Sequence, residues 1–397
     1  MVFCDRPPTA VSPALAVLGV FTVDSHVQLR KQIRNTWLSR VDGTLLACPF
    51  VLMADRVESD TATGIEAAQH RDTVFLQGPS DVDPRHGHLM KTWAWLKCAV
   101  STWQEVQLVG KMDDDLWVDI VGIERHLRAS LALAARLPRS SSSSDPPAIY
   151  WGSFTAMYFS KKLSRFIGDL SRKPMYWGHN AATVNCTQQR ELPPMYRSQE
   201  RSYAAFAASA TASSRSVESV VGPFHFAKGA LYCMSASLAQ LLASDQWLQG
   251  EVDRLLAAPL SNALWPFEDV FVGYALAHTA GRAAKGASLL ALDIGEDVFT
   301  DDYGMLVAPG TLIWHMKLKV PERIALLDTW MRTHHCNVGV ERLQTRCDKQ
   351  SYVSCDLAQW RRCTVAYPNA THKPLRTPSR CSNVRHNLLS SNFTHVI

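Results

Sequence analysis

The sequence has no long apolar run near its start. The longest there, "PALAVLGVF" at 13–21, falls far short of the roughly 20 residues a membrane-spanning helix needs. No charged segment precedes it, so neither an anchor nor a signal peptide is expected. There is no basic stripe either. The 41 Lys and Arg residues outnumber 36 Asp and Glu by only enough for a net charge of +5. They are scattered, which excludes a nucleic-acid footprint while leaving mild basicity that suits a phosphate-bearing ligand. C-x-x-C pairs are missing from the C-terminal cysteines Cys336, Cys347, Cys355, Cys363 and Cys381. That spacing argues against a zinc ribbon and favours disulfides. No internal repeat is visible.

What is present is a chain of 397 residues with 47% hydrophobic content, enough to bury one large α/β domain or two smaller ones. Acceptor sequons stand at Asn185, Asn369 and Asn392. Together with the clustered cysteines they point to an oxidising, secretory compartment, which conflicts with the absent signal unless the N-terminus is incomplete. Cys48 and Cys98 lie in apolar surroundings and read as buried small hydrophobes.

Along the chain, "ALAVLGVF" at 14–21 reads as a buried strand. Ser25 and Gln28 form a capping-box signature for a helix over about 26–39. In that helix Leu29, Ile33 and Trp37 recur every four residues and can face a sheet, while Arg30 and Arg34 share a neighbouring face. "CPFVLMA" at 48–54 and "TVFLQ" at 73–77 are further strands around a segment able to hold a short helix. Leu89, Trp93, Leu96, Val100 and Trp103 mark the clearest helix. "VQLVGK" then supplies a strand running straight into Asp113, Asp114 and Asp115. This rhythm belongs to a parallel sheet with helices on its faces, where ligands bind outside the carboxyl ends of strands. "LPRSSSSSDPP" at 137–147 and a polar stretch at about 196–220 read as surface insertions. Beyond them come a Gly-punctuated strand and helix in "GPFHFAKGALYCMSASLAQLLAS", and a helix opened by Pro266, Glu268 and Asp269. A last buried strand carries His315, and an amphipathic helix begins at Pro321 with Ile324, Leu327 and Met331 on one face.

Three adjacent carboxylates repel one another, and a divalent cation removes the conflict. Asp113-x-Asp115 at a strand end lets alternate side chains point the same way. For an arbitrary acidic triplet the default is a solvated turn, for Glu268 and Asp269 helix capping, for His315 a core histidine, and for Lys91, Arg30 and Arg34 solvated helix faces. A carboxylate at a helix start can also take a proton from a hydroxyl.

Taken together, "RKQIRNTW", "LMKTWAWLKCAVSTW", "VGKMDDDLWVDI", "FAKGALYCMS" and "FEDVFVGYAL" resemble, in order and phrasing, the β-1,3-galactosyltransferase family. That family includes β-1,3-N-acetylglucosaminyltransferases and is similar to the fringe enzymes. The resemblance covers about residues 14–330. It implies an α/β nucleotide-sugar transferase fold of the GT-A type, with a Rossmann-like, mostly parallel sheet flanked by helices. It also implies a UDP-sugar donor, galactose in the first instance and N-acetylglucosamine as the alternative, and a glycan or glycoprotein acceptor. Mn²⁺ would be required, and the anomeric centre would invert to give a β-1,3 linkage. By position, Asp269 would be the general base. Asp115 and His315 would bind the metal. Asp113 and Asp114 would help hold the ribose and metal-diphosphate. Arg30, Arg34, Lys91 and Glu268 would line the donor pocket, and Gly229 would permit close approach near the sugar.

The implied organisation is a stub at 1–13 and a catalytic domain at 14–335. Its nucleotide-sugar half spans 14–136 and its acceptor half 148–335, with an insertion at about 172–220; a cysteine-containing tail follows at 336–397. The resemblance further implies residence in the Golgi lumen, although the family's membrane anchor and stem are missing from these residues. Two rivals differ in class. A phosphotransferase with Asp113 as covalent nucleophile and Asp115 as acid normally wants a small hydroxyl residue where Trp117 stands. A non-catalytic glycan-binding protein on the same fold would be marked by loss of Asp115, Asp269 or His315, and all three are intact.

Overall fold

Four apolar runs in the first third of the chain become four strands of one sheet. They are β1 (Ala16–Phe21), β3 (Phe50–Ala54), β4 (Thr73–Gln77) and β5 (Leu108–Asp113), and a short β2 (Leu46–Ala47) sits against β1. All these pairings are parallel: β1 with β2, β3 and β5, and β3 with β4. The computed structural model describes residues 15–54, 60–78, 87–136, 148–160, 165–167, 220–257, 267–283, 288–294, 299–301, 312–316, 321–322, 324–325, 328–329, 352–356 and 363–366. The sequons, the stretches at 137–147 and about 172–219, Pro266 and Cys336, Cys347 and Cys381 lie outside them.

Beyond β5 the sheet continues through β9 (Val220–Ser235), β7 (Ala148–Ser160) and β10 (Ser288–Asp293). β9 runs antiparallel to both β5 and β7, and β10 runs parallel to β7. Six of these seven strands therefore point the same way, and the mixed α/β sheet is mainly parallel. A short β8 (Arg165–Ile167) flanks β7. A separate three-stranded sheet orders β11 (Phe299–Asp301), β12 (Ile313–His315) and β6 (Leu116–Val118). The strand carrying His315 is not the last, as expected, because β13 (Tyr352–Asp356) and β14 (Cys363–Ala366) extend the main sheet beyond β10.

Helices cover both faces because β1 is buried on both. Val17 and Phe21 face one core with Val51, Trp93 and Trp95, while Ala16, Leu18 and Val20 face another with Leu29, Ile33 and Trp37. The first core holds α3 (Gly87–Thr102) and α7 (Glu268–Ala283), and also α5 (Ala236–Ser244) and α6 (Gln246–Ala257). The second holds α1 (Val27–Asn35) and α4 (Ile120–Arg136). Leu29, Ile33 and Trp37 are each at most 2% exposed, so each contributes roughly 1.5–3 kcal/mol of burial. α2 (Ala62–His70) fills the segment before β4 and is capped by the Thr61 side chain.

The first helix departs from its expected form. It begins after a 3-10 turn at Asp24–His26 and yields at its end to another over Trp37–Gly43. Ser25 makes no cap, and His26 at the N-cap makes no side-chain cap hydrogen bond. Side chains elsewhere hold this entry instead, as described below. Cys98 is another departure, being disulfide-bonded rather than a simple buried hydrophobe. Cys48 and Cys233 are free and buried, and burial pushes the Cys48 thiol up to about 12. Among the described residues no helix is long and apolar enough to cross a membrane.

Gly110 shows how tightly β5 is packed at mid-sheet. A Cβ there would meet the Tyr232 carbonyl and lie 2.6 Å from Cys233 Cβ and 2.8 Å from Leu18 Cδ2. Gly110→Ala is expected to destabilise the fold by about 1–3 kcal/mol, the cost of overpacking. A lowered urea midpoint with unchanged slope checks this.

Candidate active site

β5 delivers the acidic triplet to the carboxyl edge of the sheet, and pleat and turn send its members apart. Asp113, the last strand residue, keeps a side chain 26% exposed. Asp114 is fully buried, and its Oδ2 lies 2.6 Å from His26 Nδ1. Asp115 is 6% exposed. The small sheet brings the fourth member, because β12 pairs antiparallel with β6 and sets His315 opposite Leu116. The Met316 amide donates to the Asp115 carbonyl at 3.0 Å, and His315 Nε2 stands 3.4 Å from Asp115 Oδ1.

One ligand atom from each of Asp113, Asp115 and His315 falls within 4.8 Å of the others. Asp115 Oδ1 is buried without a hydrogen-bond partner, a state that costs free energy unless something else satisfies it. Two carboxylates and an imidazole suit a divalent cation, so the residues present fit one. Expected metal ligands Asp115 and His315 are thus brought together, and Asp113, expected at the ribose and diphosphate, joins them.

The other expected chemistry sits at the start of α7. Asp269 Oδ2 accepts from the Gly229 amide at 2.8 Å, and Oδ1 from its neighbour's amide, Val270, also at 2.8 Å. Glu268 behind it is buried, accepts from the Tyr232 hydroxyl and pairs with Lys111 Nζ at 3.1 Å. Desolvation, then the adjacent Glu268 charge, raises Asp269 to about 7, against the pull of the two amides and Lys111. Desolvation also raises Asp113, with Lys111 opposing it. Gly229 belongs here for a steric reason: a Cβ would lie 3.3 Å from both Asp269 Oδ2 and Glu268 Oε2.

Arg30, Arg34 and Lys91, expected to line the donor pocket, are engaged with protein acceptors. Arg30 is fully buried. Its Nε donates to Glu66 Oε1 at 3.0 Å, Nη2 to Glu66 Oε2 at 2.6 Å and Nη1 to the Val23 carbonyl at 2.6 Å. Arg34 pairs with Glu66 and donates from Nε to Asp72 Oδ2 at 2.7 Å. Lys91 Nζ donates to the Thr22 carbonyl at 2.6 Å. Arg30 and Lys91 tie down the loop after β1, the loop that presents His26 to Asp114, and Arg34 braces Glu66 behind Arg30. The sequence reading missed His26, Lys111, Tyr232 and Glu66. Only Lys111 left a local signal, a lysine inside an apolar strand two residues before a carboxylate.

Residues 28–140 match the family model described as Galactosyltransferase. The matched span includes the acidic triplet and ends before Gly229, Glu268, Asp269 and His315. No curated protein matches the chain.

Removing Glu66 takes the carboxylate from the fully buried Arg30 and leaves Arg34 paired with Asp72. Breaking a buried pair from one side costs about 3–5 kcal/mol. Glu66→Ala is therefore expected to lower stability by about that amount in urea unfolding, and a loss under 1 kcal/mol would contradict the network's role.

Proposed function

We propose that this chain, whose residues 28–140 belong to the galactosyltransferase family, is an inverting glycosyltransferase. It moves a hexose, galactose in the first instance, from a UDP-sugar to a glycan hydroxyl and forms a β-1,3 linkage. The observation that carries this reading is Asp269, held by two backbone amides and raised to about 7. Through Glu268 and Lys111 it is joined to the Asp113–Asp115–His315 cluster.

The mechanism follows from those side chains. The two amides leave one lone-pair direction on each Asp269 oxygen for an acceptor hydroxyl and fix the carboxylate's orientation. Asp269 takes the hydroxyl proton as the acceptor oxygen attacks the anomeric carbon. The carbon–oxygen bond to the diphosphate breaks, its electron pair leaves with UDP, and one in-line displacement inverts the centre. Asp113, Asp115 and His315 would hold Mn²⁺, which supplies charge neutralisation at the diphosphate when bound. Asp114 acts through His26, because its own carboxylate is buried. Arg30 and Lys91 preorganise the β1–α1 loop on the donor side, with Arg34 supporting Arg30 through Glu66. Residence in the Golgi lumen is the accompanying proposal, supported by the Cys98 disulfide and the sequons.

The test is UDP release with Mn²⁺ over a panel of UDP-sugars in the presence of glycan acceptors. Asp269→Asn is expected to lose about 10²–10⁴-fold in turnover while still binding UDP, and chelation of the cation should abolish release. A variant with near-normal turnover would remove Asp269 from the base role. UDP-galactose should give the fastest release; faster release from UDP-N-acetylglucosamine would reassign the donor. A base must be ionised to work, and a raised pKa leaves Asp269 protonated at acid pH. The rate should therefore rise about tenfold per pH unit below about 7 and level off above it.

A further inference from the structure

We propose that Lys111 is a positioning residue for the transfer reaction: its ammonium, shared by Asp113 and Glu268, ties the cation-holding carboxylates to the carboxylate pair that takes the acceptor's proton. The proposal rests on the reading of Asp269 as base and extends it to a residue that touches neither the base nor the reacting atoms.

Lys111 lies on β5, paired with Gly19 of β1 and Tyr232 of β9. It is 2% exposed, so its ammonium must find acceptors inside the protein. Those acceptors come from two separate parts of the site. Asp113 Oδ1 is 2.8 Å away on the same strand, and Glu268 Oε2 is 3.1 Å away on α7. The ring of Phe21 sits 5.2 Å from the ammonium. Lys91 stands 5.4 Å from the same ring and donates to the Thr22 carbonyl.

Glu268 and Asp269 are adjacent in sequence, and the Glu268 charge disfavours ionisation of Asp269. Lys111 is the cation that offsets them. On top of desolvation, the Asp269 charge also acts on tyrosines from the sheet, Tyr150 on β7 and Tyr232 on β9, and raises both. His88, on the first turn of α3, faces Lys111, Asp113 and Glu268, and desolvation followed by Lys111 lowers its pKa. Lys111 is therefore the cation among these groups that contacts both carboxylate sets. Without it, Asp269 keeps its proton to higher pH. Without the Glu268 charge, Asp269 gives its proton up at lower pH. A residue that merely fills space predicts neither shift.

The experiment follows the carbon-13 carboxyl resonance of Asp269 against pH in the whole chain, assigned through Asp269→Asn. Wild-type Asp269 is expected to lose its proton near 7. Lys111→Met should raise that midpoint by about one unit, Glu268→Gln should lower it by about as much, and Lys111→Arg should restore it toward wild type. The acid limb of the UDP-release profile should move in parallel. Unmoved midpoints in both Lys111→Met and Glu268→Gln overturn the proposal, as do shifts in the same direction. If Lys111→Met does not fold, Lys111→Gln takes its place. The resonance titrates whether or not any donor turns over, so a failed transfer assay beside opposite shifts rejects the transferase reading and leaves the Lys111 linkage standing.

Discussion

Five carboxylates meet at the carboxyl end of β5 and the start of α7, and the site exists only because each is compensated differently. Asp113 and Glu268 share the Lys111 ammonium. Asp114 is paired with His26, Asp115 faces His315, and Asp269 accepts two backbone amides. In a medium of low effective dielectric, uncompensated negative charges at this density would protonate or force the chain apart. Compensation is uneven, and that unevenness divides the labour. Asp115 keeps a buried oxygen without a hydrogen bond, which suits a cation. Asp269 keeps a raised pKa, which suits a proton acceptor near neutral pH.

A second charge network supports the first without entering it. Glu66 on α2 gathers Arg30 and Arg34 from α1, and Arg30 continues to the carbonyls of Val23 and Asp24. Lys91 on α3 fixes the Thr22 carbonyl. Three consecutive carbonyls of the loop after β1 are thus held by buried cations, and that loop ends in His26. A rigid loop at the carboxyl end of a central strand is where an α/β sheet binds its ligand. Holding it in advance lowers the ordering cost of binding.

Much of the framework was legible from local pattern. Thr73–Gln77 forms the strand its apolar run announced, and α3 buries Leu89, Trp93 and Leu96 as their spacing required, with Trp103 buried just past its end. Those features depend on neighbours within a few residues along the chain. The capping box at Ser25 failed because its competitors were distant. Arg30 and Asp114 hold the backbone and His26 in a 3-10 turn that leaves no cap geometry. The tail at 336–397 showed no strand pattern of its own, yet Tyr352–Asp356 pairs with β10, a long-range choice no local period encodes.

The sequence by itself determined the alternation of strands and helices, the acidic triplet at a strand end, and the carboxylates opening α7. Each is written in residues adjacent along the chain. Only the tertiary structure decided what each charge faces. It brought His315 to Asp115 across some two hundred residues by pairing β12 with β6. It turned Arg30 and Arg34 to Glu66 and Asp72, and placed Lys111 between two carboxylates from different elements. The physical reason is that a side chain's partner depends on the packing of whole elements, while its own stretch of sequence specifies only which face it occupies.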